Sequence, residues 1–146
     1  CGGARSRAVG LPGRGRGRGY GLAARARQGG GQVVIAGRSQ DGVDTAVAEL
    51  GQPDRILGLA IDVTDADSVK SLWTAAVARF GRVDIWINNA GTTTNPLPLW
   101  EVGSDEGRQT VETNLLGTLY GMQAAPRGVT GGRARAAVGP PRAWSG

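Results

Sequence analysis

Val83-Asp84-Ile85-Trp86-Ile87-Asn88-Asn89-Ala90-Gly91 is an apolar, branched run that breaks off at two amides followed by two small residues. A run this short and apolar reads as a buried strand, and its polar end reads as the place where a strand stops and a ligand can approach. Just upstream, Val69, Leu72, Trp73, Ala76, Val77 and Phe80 recur at i, i+3, i+4, i+7, i+8 and i+11, one face of a helix that Gly81 closes. Thr64, with Asp67 three residues on, resembles a capping box at the start of that helix. Further back, Ile56 to Ile61 forms a second apolar run ending in Asp62-Val63. Gly42 to Leu50 carries Val43, Ala46, Val47 and Leu50 on one helical face, stopped by Gly51 and Pro53. Gln32-Val33-Val34-Ile35-Ala36-Gly37 is a third buried strand, ended by Arg38.

Downstream, a proline-bearing loop covers Thr92 to Pro98. A last helix then starts near Ser104, with Val111, Leu115, Leu119 and Met122 on one side and Asn114 beside them. Strands alternating with helices from Val33 onward predict an α/β fold with a doubly wound parallel sheet. Ligands of such sheets bind outside the carboxyl ends of the strands, which here are Gly37-Arg38, Asp62-Val63 and Asn88 to Gly91.

Composition bounds the rest. With 146 residues the chain has room for one domain of ordinary size. His is absent and the single Cys is Cys1, which excludes imidazole acid/base chemistry, a Cys/His zinc site and an intrachain disulfide. No apolar run is long enough to span a bilayer and no secretory h-region is present, so a cytoplasmic protein without membrane contact is expected. The net charge of +5 is divided unevenly. Residues 1–32 hold seven Arg and no acid, residues 33–125 hold every Asp and Glu, and residues 126–146 hold four Arg and no acid. Only 33–125 has the composition of a packed domain; the two ends read as irregular Arg/Gly-rich segments. They are open to two readings, disordered or out-of-frame sequence and an RNA-binding arm centred on Gly13 to Gly21.

At Asp62-Val63, Asn88-Asn89-Ala90-Gly91 and Asn114-Leu115 the chain resembles the short-chain dehydrogenase/reductase family, NAD(P)-dependent oxidoreductases with a Rossmann fold. The likeness runs from Val33 to about Ala125. Asp84 to Thr92 followed by Thr113-Asn114-Leu115 looks most like the chlorophyll(ide) b reductase-like branch. The resemblance implies that Asp62 and Val63 contact the adenine, that Asn89, Ala90 and Gly91 approach the cofactor backbone, and that Asn114 is the catalytic Asn that kinks its helix and holds a relay water. It also implies a glycine fingerprint between the first strand and first helix. Gly13, Gly17 and Gly19 occupy the glycine places in Pro12 to Gly19, although Ala8-Val9-Gly10-Leu11 is a poor first strand. Arg38, followed by Ser39, stands where an Arg accommodates the 2′-phosphate, so NADP is expected over NAD.

The family's proton-transfer set is a Tyr, a Lys four residues later and a Ser. Tyr20 and Tyr120 are followed four positions on by Ala24 and Ala124, and the only lysine is Lys70. The resemblance therefore implies an incomplete sheet, carrying most of a cofactor half without the catalytic half, as truncation or frame-shifted ends would produce. Such a chain, lacking a central strand, is expected to be poorly soluble or molten. The function expected is hydride transfer between nicotinamide and a small carbonyl or alcohol in the complete enzyme. The alternative is nucleotide or Arg/Gly-mediated RNA binding without catalysis. A nucleic-acid partner is not favoured, and the family's habit of pairing helices makes a homo-oligomer the expected partner.

Overall fold

The computed structural model describes residues 7–10, 18–93, 97–125 and 135–138. Five strands, β1 (Arg7–Gly10), β2 (Gln32–Gly37), β3 (Ile56–Ala60), β4 (Ile85–Asn88) and β5 (Arg135–Val138), form one sheet in the order β3-β2-β1-β4-β5. Every pairing is parallel. The strand order reverses at β1, which is where a doubly wound sheet opens a crevice at its carboxyl edge.

The helices are α1 (Arg18–Gln28), α2 (Gln40–Leu50), α3 (Ala66–Phe80), α4 (Ser104–Val111) and α5 (Gly117–Ala124), the last two joined by a π turn over Glu112–Leu116. They cover both faces. On one face Val33, Ile35 and Ile56 pack with Ala23 of α1 and with Val43 and Leu50 of α2. On the other, Val34, Ala36 and Trp86 pack with Val69, Leu72, Ala76 and Phe80 of α3 and with Ala125. Alternate residues of β2 thus serve opposite layers, which is why its sequence is apolar without a break.

The strands and helices expected between Gln32 and Phe80 form, β2 with the expected ends and the others with ends shifted by no more than three residues. Gly81 closes α3 at φ 82°, a left-handed conformation that suits glycine, and its N–H returns to Val77 O. The ends of the chain depart from expectation. Residues read as lying in irregular Arg/Gly-rich segments form β1, α1 and β5. β1 sits in the middle of the sheet, with Ala8 opposite Val33 on one side and Ile85 on the other. A central parallel strand draws its hydrogen bonds from both neighbours, so a short small-residue run suffices where its neighbours are apolar. Alanines that favour helix carry α1: Ala23, Ala24 and Ala26 lie against the sheet, with Arg25 and Arg27 in the last turn where cations suit the helix dipole. The reason for expecting a molten chain, a sheet without its centre, therefore does not hold.

The last helix departs too. Val111, Leu115, Leu119 and Met122 do share a face, but that face is exposed, and the residues turned inward are Gly117 and Gly121.

The α2–β3 contact offers a test of packing. A Cβ added at Gly58 would lie 2.5 Å from Val43 Cγ1 and 2.7 Å from Val47 Cγ2. Crowding outweighs the gain in strand propensity, so Gly58→Ala should cost about 1–3 kcal/mol by urea unfolding. Val43→Ala in the same chain should recover part of it.

Candidate functional site

The carboxyl ends of β2, β3 and β4 open on the same edge of the sheet as the amino ends of α1, α2 and α3. After β2, Arg38 is exposed and Ser39 caps α2, its Oγ accepting from Gly42 N–H at 3.3 Å. That bond occupies the serine oxygen as an acceptor and leaves its hydroxyl proton free to donate. The end of β3 is tied to β2 by Ile61 N–H donating to Gly37 O at 2.8 Å.

Asp62 comes next. Its Oδ1 accepts from Thr64 N–H at 2.9 Å and from the Thr64 hydroxyl at 2.7 Å. Thr64 is thereby taken out of the capping position expected for it. The cap of α3 is Asp65, which accepts from Asp67 N–H at 3.3 Å and Ser68 N–H at 3.0 Å. Those bonds to Thr64, the backbone one first, hold the Asp62 carboxyl below the usual carboxylate range. Partial burial opposes them, and the Arg38 charge makes the smallest contribution, in the same direction as the bonds.

Beyond β4, the chain runs through Asn89, Ala90 and Gly91 to Thr92, where Asn114 holds it by both backbone groups. Thr92 N–H donates to Asn114 Oδ1 at 2.8 Å, and Asn114 Nδ2 donates to Thr92 O at 2.7 Å. The two bonds imitate a pairing between strands and use the amide at both ends. Asn114 sits in the middle of the π turn, in which Gly117 N–H reaches back to Glu112 O. Its own carbonyl accepts from the Thr118 hydroxyl at 2.7 Å. A Cβ on Gly91 would lie 3.3 Å from Asn114 Oδ1, so the strand end and the helix meet closely there.

The structure thus brings Arg38 within electrostatic reach of Asp62, and Gly91 and Thr92 against Asn114. Val63 is buried under Gly117, where an added Cβ would lie 3.1 Å from Val63 Cγ2. Ala90 packs on the core cluster that contains Trp86. Gly19 falls in the first turn of α1 and is buried. Gly13 and Gly17 lie outside the described residues. Asn89 follows β4 half-buried. Asn88, read only as part of the strand-end motif, is buried, and two residues that the sequence reading gave no role, Gly117 and Gly121, face the sheet. The available signal was the spacing of Asn114, Gly117 and Gly121, three small or polar residues on one helical face.

Comparison with known proteins agrees with this geometry. The family described as short chain dehydrogenase matches residues 7–136. A probable chlorophyll(ide) b reductase of Arabidopsis thaliana, chloroplastic, is 34% identical over 114 residues, 66% of this chain and 23% of the relative. A 3beta-hydroxysteroid dehydrogenase of Eggerthella lenta is 36% identical over 81 residues, 56% of this chain and 30% of the relative. Among solved structures, a 3-ketoacyl-(acyl-carrier-protein) reductase from Brucella melitensis complexed with NADH superposes with a TM-score of 0.77 at 30% identity. That match covers 84% of this chain and 50% of the reductase. A reductase from Burkholderia phymatum in complex with NAD gives 0.79 at 25% identity, over 91% and 48%. The chain therefore spans about half the length of these structures and less than a third of the two curated relatives.

The Asp62 carboxylate gives the site a pH signature. Its folded-state pKa is lowered, so its stabilising contribution is complete above about pH 4, the unfolded value, and drains away as pH falls through the lowered one. Asp62→Asn should remove that dependence. Thermal unfolding followed from about pH 5 to pH 3 should fall less steeply for the variant than for the parent chain.

Proposed function

The chain belongs to the short-chain dehydrogenase family of oxidoreductases, and from that premise we propose that its carboxyl edge binds a nicotinamide dinucleotide, NADP in preference to NAD. The observation that carries the reading is the convergence on one edge of an exposed guanidinium at Arg38, a carboxylate at Asp62 and a small-residue segment, 89–91, braced by Asn114.

The residues present fit such a ligand. Arg38 would bind the 2′-phosphate, with the Ser39 hydroxyl donating beside it at the start of α2. Asp62 and Val63 would receive the adenine. Oδ2 of Asp62 is the oxygen left over from the Thr64 bonds that engage Oδ1. The first turn of α1, with Gly19, would face the pyrophosphate. Asn89, Ala90 and Gly91 would line the cofactor on the β4 side, where the missing Cβ of Gly91 allows close backbone approach. When bound, the dinucleotide supplies a hydride acceptor or donor at its nicotinamide ring.

Asn114 fixes Thr92 through its side chain, and its own carbonyl is already bonded to Thr118; in the proposed role it orients the segment that carries the nicotinamide side of the site. A Tyr-x-x-x-Lys set is absent from these 146 residues. For this chain the proposal is accordingly dinucleotide binding. Hydride exchange with a small carbonyl or alcohol is a proposal for the whole protein. We propose in addition that the exposed apolar stripe of Val111, Leu115, Leu119 and Met122 pairs with a second copy of the chain, Leu115 being 64% exposed. Leu115→Lys should then shift the chain to monomer in sedimentation velocity.

Arg38→Ala tests the cofactor reading. Removing a charge-assisted contact to phosphate, about 1.5–3 kcal/mol, should weaken NADPH binding by one to two orders of magnitude in calorimetric titration and leave NADH nearly unchanged. Equal affinity of the variant and the parent for NADPH would overturn the preference. Binding of neither nucleotide by the parent chain would overturn the function.

A further inference from the structure

We propose that Asn88 is a positioning residue: held by Trp86 and seated against Gly121, it sets where the segment 89–92 lies, and with it the nucleotide edge. The ligand arm of this proposal rests on the dinucleotide reading above; the positioning arm does not.

Asn88 is the last residue of β4 and is only 5% exposed, an amide inside an apolar layer. Burying such a group is unfavourable unless it is hydrogen-bonded. Trp86, two residues earlier and on the same face of the strand, donates its indole Nε1–H to Asn88 Oδ1 at 2.9 Å. The indole is itself fixed, 1% exposed and packed on Trp73 of α3 with ring centroids 5.7 Å apart. The orientation of the Asn88 side chain is therefore set by this one bond from the core, its Nδ2 having no hydrogen-bond partner among the described residues.

α5 then rests on this pair. A Cβ at Gly121 would fall inside the van der Waals sphere of Asn88 Oδ1, 2.9 Å from its Cγ and 3.1 Å from Trp86 Nε1. Only glycine admits the approach. Seven residues earlier along the same helical rod, Asn114 clamps Thr92. Seven residues are about 10 Å along a helix, whereas the four steps from residue 88 to residue 92 reach at most about 14 Å. The segment 89–92 is thus pinned at both ends to one rod, at Asn88 by Gly121 and at Thr92 by Asn114. Lifting α5 off Asn88 by one methyl group pulls on the Asn114 clamp.

A purely structural role would lower stability and do nothing else, so the readouts are the hydrogen-exchange rate of the Thr92 amide and the dissociation constant for NADPH. Both are measured on the full 146-residue chain. Gly121→Ala should speed Thr92 exchange and weaken NADPH binding, each about tenfold. Asn88→Ser, which takes the acceptor away from the Trp86 indole, should by itself speed Thr92 exchange. Trp86→Phe removes the donor and keeps a ring; it should raise Thr92 exchange even if Gly121→Ala does not fold. Thr92 exchange and NADPH affinity unchanged in the folded variants, with only the thermal midpoint lowered, would overturn the proposal. A Thr92 response in a parent chain that binds no NADPH would sustain the positioning role and sink the dinucleotide reading alone.

Discussion

The closeness of α5 to the sheet is the constraint on which the rest of the edge depends. Gly117 lies on Val63 and Gly121 on Asn88, with distances to their missing Cβ atoms that no larger residue could meet without displacing backbone or buried side chains. Because the helix comes this near, the segment after β3 and the end of β4 are indexed against the same surface. Asn114, one turn earlier, adds the exit of β4 to that surface. Two chain segments distant in sequence, the one after β3 and the one at the end of β4, are thereby held by one element, and the π turn over Glu112–Leu116 lies between it and α4.

The electrostatics of the edge follow from the same architecture. Helices in a parallel α/β sheet run back against the strands, so their positive ends gather where the strands finish. Acidic residues have settled there: Asp41 in the first turn of α2, Asp65 and Asp67 at the start of α3, Asp105 and Glu106 at the start of α4. These stabilise the helices and oppose an anionic ligand at the same time. Arg38, exposed at the end of β2, is a cation on the same edge, and its effect on Asp62 is minor beside that of the Thr64 bonds.

Much of the fold was legible where side chains alone decide it. β2, α3 and β4 announce themselves because a strand buried on both faces must be apolar throughout and a half-buried helix must repeat at 3.6 residues. β1 and β5 were not legible for the opposite reason: Arg7–Gly10 and Arg135–Val138 are held by ladder bonds to β2 and β4, an interaction that leaves no mark in composition. Of the candidate site, the place of Arg38, Asp62 and the segment 89–91 at the strand ends could be read, because each follows directly on an apolar run. Asn88 could not. An amide at the end of an apolar run looks like the beginning of a loop, and only the indole of Trp86 two residues away shows that it belongs to the core. Thr64 and Asp65 exchanged roles because two adjacent residues can each cap α3, and the demand of Asp62 for Thr64 decides between them.

The face of α5 carries the more general lesson. A period of 3.6 tells which residues share a side of a helix, and it is silent about which side meets the sheet. Val111, Leu115, Leu119 and Met122 make the stronger apolar pattern, so hydrophobicity alone would bury them. Burying that stripe would push the helix outward by the length of a leucine, and Asn114 would then lose Thr92. The small residues on the opposite side allow both the close approach and the clamp, and the apolar stripe is left in solvent as a consequence. Where a helix must come this close to a strand end, the glycines facing the sheet specify its orientation, and the leucines are left on the other side.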